Sequence, residues 1–169
     1  MPHDSQPLST LSRTYAFAQP GDLGARARAM SGLEFLQELI AHDTDVPIGA
    51  TLGFRLASVE PGACVFTIDR IEPHLFNPLG GVHGGWYAAV LDAPLGVALH
   101  STLPAGVGYT TLELKVNLTR AAKVGQADLR AVGRLVHRGR TTAVTDAQIL
   151  DAEQRVYAHA TSTCLILQG

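Results

Sequence analysis

Between Trp86 and Leu99 the only charged side chain is Asp92. Every other residue of that stretch is apolar or small. A helix that is apolar nearly all round is stable only when other elements cover it. Any fold for this chain must therefore wrap the segment from Gly84 to about His100. The loop before it, Asn77-Pro-Leu-Gly-Gly-Val-His83, carries the Gly and Pro signals of a turn, and His83-Gly84-Gly85 stands where loop becomes helix. A carboxylate inside such a helix needs a reason. Burying an acid is costly unless it is paired, and a strained acid in a cleft is a functional candidate.

The geometry of the helix sharpens the point. Its first amides have no internal partner and carry the positive end of the dipole. Glycines there let a ligand oxygen approach the backbone, so Gly84 and Gly85 are candidates for an oxyanion site. Helical spacing places Gly85, Ala88 or Ala89, Asp92 and Gly96 on one face, a groove of small residues. Gly85 and Asp92 are nevertheless roughly 10 Å apart along the axis. One carbonyl cannot touch both in the same chain. Two antiparallel helices related by a two-fold axis would bring the amides of one opposite the aspartate of the other. Pro94 sits inside this helix, where it removes a hydrogen bond and crowds the preceding turn, so a kink or an opened turn is expected there.

Around the helix the pattern is that of strands. Leu52, Phe54 and Leu56 alternate with Gly53, Arg55 and Ala57, and Cys64, Phe66 and Ile68 follow the Glu60-Pro61-Gly62 turn as a hairpin partner. Leu112, Leu114, Val116 and Leu118 face one way, with Thr111, Glu113, Lys115 and Asn117 facing the other. Ala127 to Val136, Thr142 to Leu150 and Val156 to Leu167 complete about six strands. The links are short, so the sheet is mostly antiparallel, and the class is α+β with one helix against a curved sheet.

Ahead of the strands, Ser31 and Glu34 form a capping-box signature for a helix from about Gly32 to His42. That helix either covers an end of the core or narrows a ligand entrance. Residues 1–30 show no clear period and read as a tail, loose or packed on a neighbour; residues 31–169 form a single domain. The chain of 169 residues, 46% hydrophobic and 17% charged, suits one compact core. A net charge of -2 gives no footprint for nucleic acid. No stretch reaches the ~20 apolar residues of a membrane span, and no leader is evident at the start, so a cytoplasmic protein is expected. Cys64 and Cys164 lack metal or disulfide spacing and read as buried thiols. His74, His83, Asp92 and His100 lack the spacing of a metal-ligand set.

Asn77, His83-Gly84-Gly85 and Asp92 together resemble the central motif of hotdog-fold acyl-CoA thioesterases. The similarity is greatest to the PaaI-like branch, which includes 4-hydroxybenzoyl-CoA thioesterases. It runs from about Leu52 to the C-terminus and takes in Gly108-Tyr-Thr-Thr-Leu-Glu-Leu-Lys-Val-Asn117 and the Arg138-Gly139-Arg140 turn. The resemblance implies a hotdog fold, in which a long central helix is wrapped by the sheet. It implies hydrolysis of an acyl-CoA to free acid and coenzyme A. Asp92 would be base or nucleophile, Gly84 and Gly85 the oxyanion donors, and Asn77 and His83 orienting or carbonyl-polarising groups. It also implies a homodimer or homotetramer with shared active sites. No metal or redox cofactor is called for, since coenzyme A arrives with the substrate.

Thr110 and Thr111 are candidates for the substrate groove or for cross-strand pairing. Arg138 and Arg140 are either solvated hairpin charges or partners of coenzyme A phosphates. Three positions depart from the family pattern. Pro94 replaces a small or apolar residue. Gly96 stands where some relatives carry Ser or Thr. Leu118-Thr-Arg120-Ala121 replaces an aromatic-Arg-Pro strand end. Trp86, Tyr87 and Tyr109 belong to the core or to an aromatic pocket. A non-catalytic acyl-CoA or acyl-carrier binding protein is the alternative function, and a hotdog dehydratase or hydratase a third.

Overall fold

The computed structural model describes residues 8–167; residues 1–7 of the expected tail and the last two of the expected domain lie outside them. Three short helices come first: α1 (Pro20–Ala29), α2 (Gly32–Ala41) and α3 (Pro47–Leu52). Strands β1 (Phe54–Glu60) and β2 (Ala63–Ile68) precede the long helix α4 (Gly84–His100). Then come β3 (Gly108–Leu118), β4 (Arg130–Arg138), β5 (Thr142–Leu150) and β6 (Val156–Leu167). The six strands form one sheet in the order β1-β2-β4-β5-β6-β3, and every neighbouring pair is antiparallel. This is the α+β class expected, with α4 packed against β2, β3, β4, β5 and β6.

Covering an apolar helix is what holds the layers together. Val90, Leu91, Leu95, Ala98 and Leu99 of α4 are fully buried. The first four pack with Ala131, Ala147, Ile149, Ala158 and Ala160 from the sheet, all fully buried, and Leu99 packs with Ala143 and Cys164. Alanines opposite large helix side chains let the layers approach while the space stays filled. The helix runs unbroken through Pro94, in place of the expected opened turn. There it lies hard against the sheet: a Cβ on Gly133 would come 2.3 Å from the Pro94 carbonyl oxygen. The Cys64 thiol donates to that oxygen at 3.4 Å. Burial pushes the Cys64 thiol up to about 12, so it stays protonated and keeps its role as donor.

Helix α2 has the capping box anticipated: the Ser31 hydroxyl accepts from the Glu34 amide, and the Glu34 carboxylate accepts from the Ser31 amide at 3.0 Å. Its start is pinned across the end of α4. Gly32 donates to the Leu103 carbonyl at 3.0 Å, and a Cβ on Gly32 would lie only 1.8 Å from the His100 carbonyl oxygen. Two helices correct the sequence reading. Helix α1 forms inside the stretch expected to be an irregular tail, with Pro20 at its first turn and Arg26 paired to Glu38 of α2. Helix α3 occupies what was read as a connection and the start of a strand. Pro47 opens it, and Gly53 closes it in the left-handed region at φ 75°.

Strand β3 lies at the sheet edge and holds a third correction. Thr111 pairs with Cys164 of β6, yet Glu113 pairs with Thr163, so the register shifts between them. This bulge changes which side chains face the helix. Tyr109 packs with the buried core before it, and Leu114 and Val116 after it. Leu112, expected on the buried face, is 56% exposed.

Candidate active site

The loop before α4 is held by Asn77. Its Oδ1 accepts from the Leu79 amide at 2.9 Å and the Gly81 amide at 3.3 Å, and its backbone N–H donates to the Gly81 carbonyl at 2.8 Å. Gly80 takes φ 81° to let the loop close. The Asn77 carbonyl-type oxygen is thus spent on the loop, and its side-chain NH₂ is the part left to meet a ligand. His83 follows as the N-cap of α4, anchored by its amide to the Leu75 carbonyl at 2.8 Å.

The two glycines of the helix start are not equivalent. The His83 ring nitrogen Nδ1 accepts the Gly85 amide at 2.9 Å. Gly85 is therefore already capped, which corrects its assignment as a free oxyanion donor. The Gly84 amide has no partner among the described residues. Gly84 is half-buried, and a Cβ there would lie 3.3 Å from Leu118 Cδ1 of β3.

Asp92 is exposed in the single chain, where a buried acid was expected. The Thr111 hydroxyl donates to its Oδ1 at 3.3 Å. The bulge in β3 makes this contact, because it leaves Thr111 on the helix side while Glu113 pairs one step later. Thr110, the preceding residue, falls on the opposite face and pairs with Leu165. Of the two threonines, only Thr111 reaches the acid.

Tyr109 adds a group whose position sequence reading left open. A Cβ on Gly96 would meet the Tyr109 Oη at 2.5 Å, so the phenol fills the space one turn beyond Asp92. Burial pushes the phenol well above its ordinary range, and the nearby Cys164 and Asp92 charges add to the shift. The signal was present in the sequence: a glycine on the acid's face invites a large neighbour. Across the ring from Tyr109, His100 lies 5.5 Å away centroid to centroid, with Phe35 5.8 Å on its other side. Burial holds the His100 ring below its usual value of 6.5.

Within one chain the expected site does not close. Gly84 and Asp92 stand about 12 Å apart along the axis of α4 and are turned by about 80° around it. Arg138 is engaged elsewhere: its guanidinium donates to the Thr102 carbonyl at 2.8 Å, just past the far end of α4. That carbonyl is about 15 Å along the helix from Asp92. Arg140 is exposed at the β4–β5 turn. Among the described residues no group of three or more His, Cys, Asp or Glu could hold a metal ion, and no helix is long and apolar enough to cross a membrane.

The fold has known counterparts. The profile of the thioesterase superfamily matches residues 79–158, which contain the helix, its glycines and Asp92. The smu.793 protein of Streptococcus mutans UA159, solved bound to acetyl CoA, is 30% identical over 69% of this chain and 90% of its own, with a TM-score of 0.62. A phenylacetic acid degradation-related protein of Ralstonia eutropha JMP134 is 28% identical, with 77% and 98% of the chains covered and a TM-score of 0.67. The PaaI protein of Escherichia coli, at 22% identity with 81% and 97% of the chains covered and a TM-score of 0.69, shares the fold. No curated protein sequence matches the chain. The chain belongs to the thioesterase superfamily and has its hotdog fold, of the PaaI-like kind.

Proposed function

We propose that this protein hydrolyses acyl-CoA thioesters, with Asp92 as the base or nucleophile of the reaction and Gly84 as the oxyanion donor. The observation that carries the reading is the pairing of Asp92 with Thr111 on an otherwise uncharged helix whose first amide is free. Membership of the superfamily supports the reaction class, and the acetyl CoA held by the Streptococcus mutans relative supports the ligand class.

The reading requires two copies. Asp92 is exposed, and β3 is an eleven-residue edge strand with an open ladder on one side. An edge of that length is a ready template for another chain. In a homodimer with antiparallel α4 helices, Gly84 of one copy comes opposite Asp92 of the other. The Gly84 amide then donates to the thioester oxygen as negative charge develops on it. Such a donor is worth about 10²–10³ in rate. Asp92 takes a proton from the attacking water, and Thr111 holds the carboxylate in place. The tetrahedral intermediate collapses, the carbon–sulfur bond breaks, and the thiolate of coenzyme A leaves and takes up the proton. Direct attack by Asp92, giving an anhydride that water then opens, uses the same groups. His83 acts through the helix start that it caps, and Asn77 through its NH₂ group. Arg138 and Arg140 serve coenzyme A phosphates only from positions remote from Asp92 of their own chain.

The deciding experiment is release of free thiol from a panel of acyl-CoAs by the wild type and by Asp92→Ala. The expected result is hydrolysis by the wild type and a loss of at least about a hundredfold in kcat in the folded variant. Equal turnover by both removes Asp92 from the reaction. Binding without thiol release by the wild type would establish the acyl-CoA-binding alternative.

A further inference from the structure

Tyr109 of β3 carries a hydroxyl that the fold does not use. The Tyr87 hydroxyl accepts from the Ala122 amide at 2.8 Å, and the Tyr157 hydroxyl from the Gln126 side chain at 2.7 Å. The Tyr109 hydroxyl has no hydrogen-bond partner among the described residues. Yet its ring packs against the cluster that contains Leu99, Cys164 and Ile166 and lies 5.5 Å from the His100 ring. Tyrosine hydroxyls in such surroundings are usually paired. Nor is this one sealed away: among the described residues, the buried polar side-chain atoms without a partner are Arg130 Nε and Thr145 Oγ1. A small molecule can therefore reach the Tyr109 oxygen.

Helix α4 makes room for the phenol beside its acid. A Cβ on Gly96 would lie 2.5 Å from the Tyr109 oxygen and 3.0 Å from its Cε2. Gly96 is one turn beyond Asp92, and positions four apart on a helix have their Cβ atoms about 5–6 Å apart. The strand gives a matching spacing. Tyr109 and Thr111 pair with the buried Ile166 and Cys164, so both face the helix, about 7 Å apart. Thr111 is the one that touches Asp92. The phenol oxygen thus stands roughly 5–6 Å from the carboxylate. That is too far for a direct hydrogen bond, and it suits two bonds of about 2.8 Å through one oxygen held between them.

We infer that Tyr109 positions the attacking water: its hydroxyl donates to a water that in turn donates to Asp92, which leaves one lone pair of that water for the thioester carbon. The inference rests on the reading that Asp92 works on a thioester, and it selects water over direct attack by the carboxylate. Thr111 occupies Oδ1 of Asp92, so the other oxygen is the one that meets the water. Burial holds the phenol well above its ordinary range, and it keeps its proton at neutral pH. Tyr109 is then a donor only and takes no part in moving protons. The water oxygen bonds to the thioester carbon as one of its protons passes to Asp92. The intermediate expels the thiolate of coenzyme A, which takes the proton back from Asp92.

The test uses the full chain with Tyr109→Phe, which removes only the oxygen, and Gly96→Ala, which pushes the phenol aside and keeps it. The readouts are kcat and KM on the best substrate of the acyl-CoA panel, affinity for its non-hydrolysable dethia analogue, and Tm. Tyr109→Phe should lose about tenfold in kcat, with KM and analogue affinity within about twofold of wild type. Its Tm should be no lower, because the lost hydroxyl holds nothing in the protein. Gly96→Ala should show the same loss in kcat, and it decides the matter alone if Tyr109→Phe fails to fold. A single turnover in heavy-oxygen water, with enzyme in excess, should place the label in the released acid. Label in Asp92 with an unlabelled acid overturns the inference. So does a loss of analogue affinity as large as the loss in kcat/KM, which would put the hydroxyl on the acyl group. Full turnover by Tyr109→Phe overturns it and leaves the hydrolase standing, whereas a wild type that releases no thiol removes both.

Discussion

The Nδ1 atom of His83 accepts the Gly85 amide at 2.9 Å, so the side chain before the central helix caps that helix. A cap of this kind contributes about 1 kcal/mol. His83→Ala should therefore lower Tm by about 2–4 °C in a domain of this size, and His83→Asn, which keeps an acceptor, should recover most of it. Calorimetric melting of the three proteins checks this. Equal Tm for wild type and His83→Ala would leave the helix start without need of its cap.

Among the described residues the Thr111 hydroxyl makes the one side-chain hydrogen bond to Asp92, at 3.3 Å. Both are exposed, so the contact adds little to stability. Under the proposed mechanism it orients the carboxylate. Thr111→Val should cost roughly tenfold in kcat with Tm nearly unchanged, whereas Thr111→Ser should stay near wild type. Steady-state kinetics beside melting curves separates these outcomes; a Thr111→Val enzyme at full rate would leave the hydroxyl idle.

Gly133 sets how closely the sheet approaches the helix. A Cβ there would lie 2.3 Å from the Pro94 carbonyl oxygen and 2.8 Å from Pro94 Cβ, both parts of a rigid backbone segment. Gly133→Ala should destabilise by about 1–3 kcal/mol through overpacking. Urea unfolding measures the change, and a variant as stable as the wild type would contradict so tight a contact.

His100 gives a pH dependence with a definite sign. Burial lowers its folded value below 6.5, so near that pH the unfolded chain binds more protons than the folded one. Stability then rises with pH through this window, and it falls as pH drops from the unfolded value of about 6.5 toward the folded one. His100→Phe should flatten this part of the profile and leave the acidic limb of the carboxylates. Unfolding free energies between pH 7 and 5 test it, and the same slope in both proteins would assign the effect to other groups.

Much of the architecture was legible in residue order. The span of α4, the capping box of Ser31 and Glu34, and the bounds of β5 and β6 follow from patterns that packing does not override. Helix α1 was not read because it has no apolar face. Its marks are Pro20 at the start, Asp22 in the first turn, and Arg26 and Arg28 in the last. Helix α3 spans only Pro47–Leu52, too short to show a period. The bulge in β3 escaped for a different reason: the alternation of Leu112, Leu114, Val116 and Leu118 is regular, and only the partner strand reveals the skipped pairing. The candidate residues themselves stood out by type and spacing. What each holds depended on hydrogen bonds, as with the Gly85 amide taken by His83 and the Asn77 oxygen taken by its own loop.

The shift between Thr111 and Glu113 works like a reading frame for the strand. Deleting Leu112 would restore an even ladder with no loss of chemistry from the sequence. Either Thr111 would then turn away from Asp92, or Leu114 and Val116 would turn away from the core. One surplus residue lets a single edge strand serve two masters, the acid at one end and the hydrophobic interior at the other.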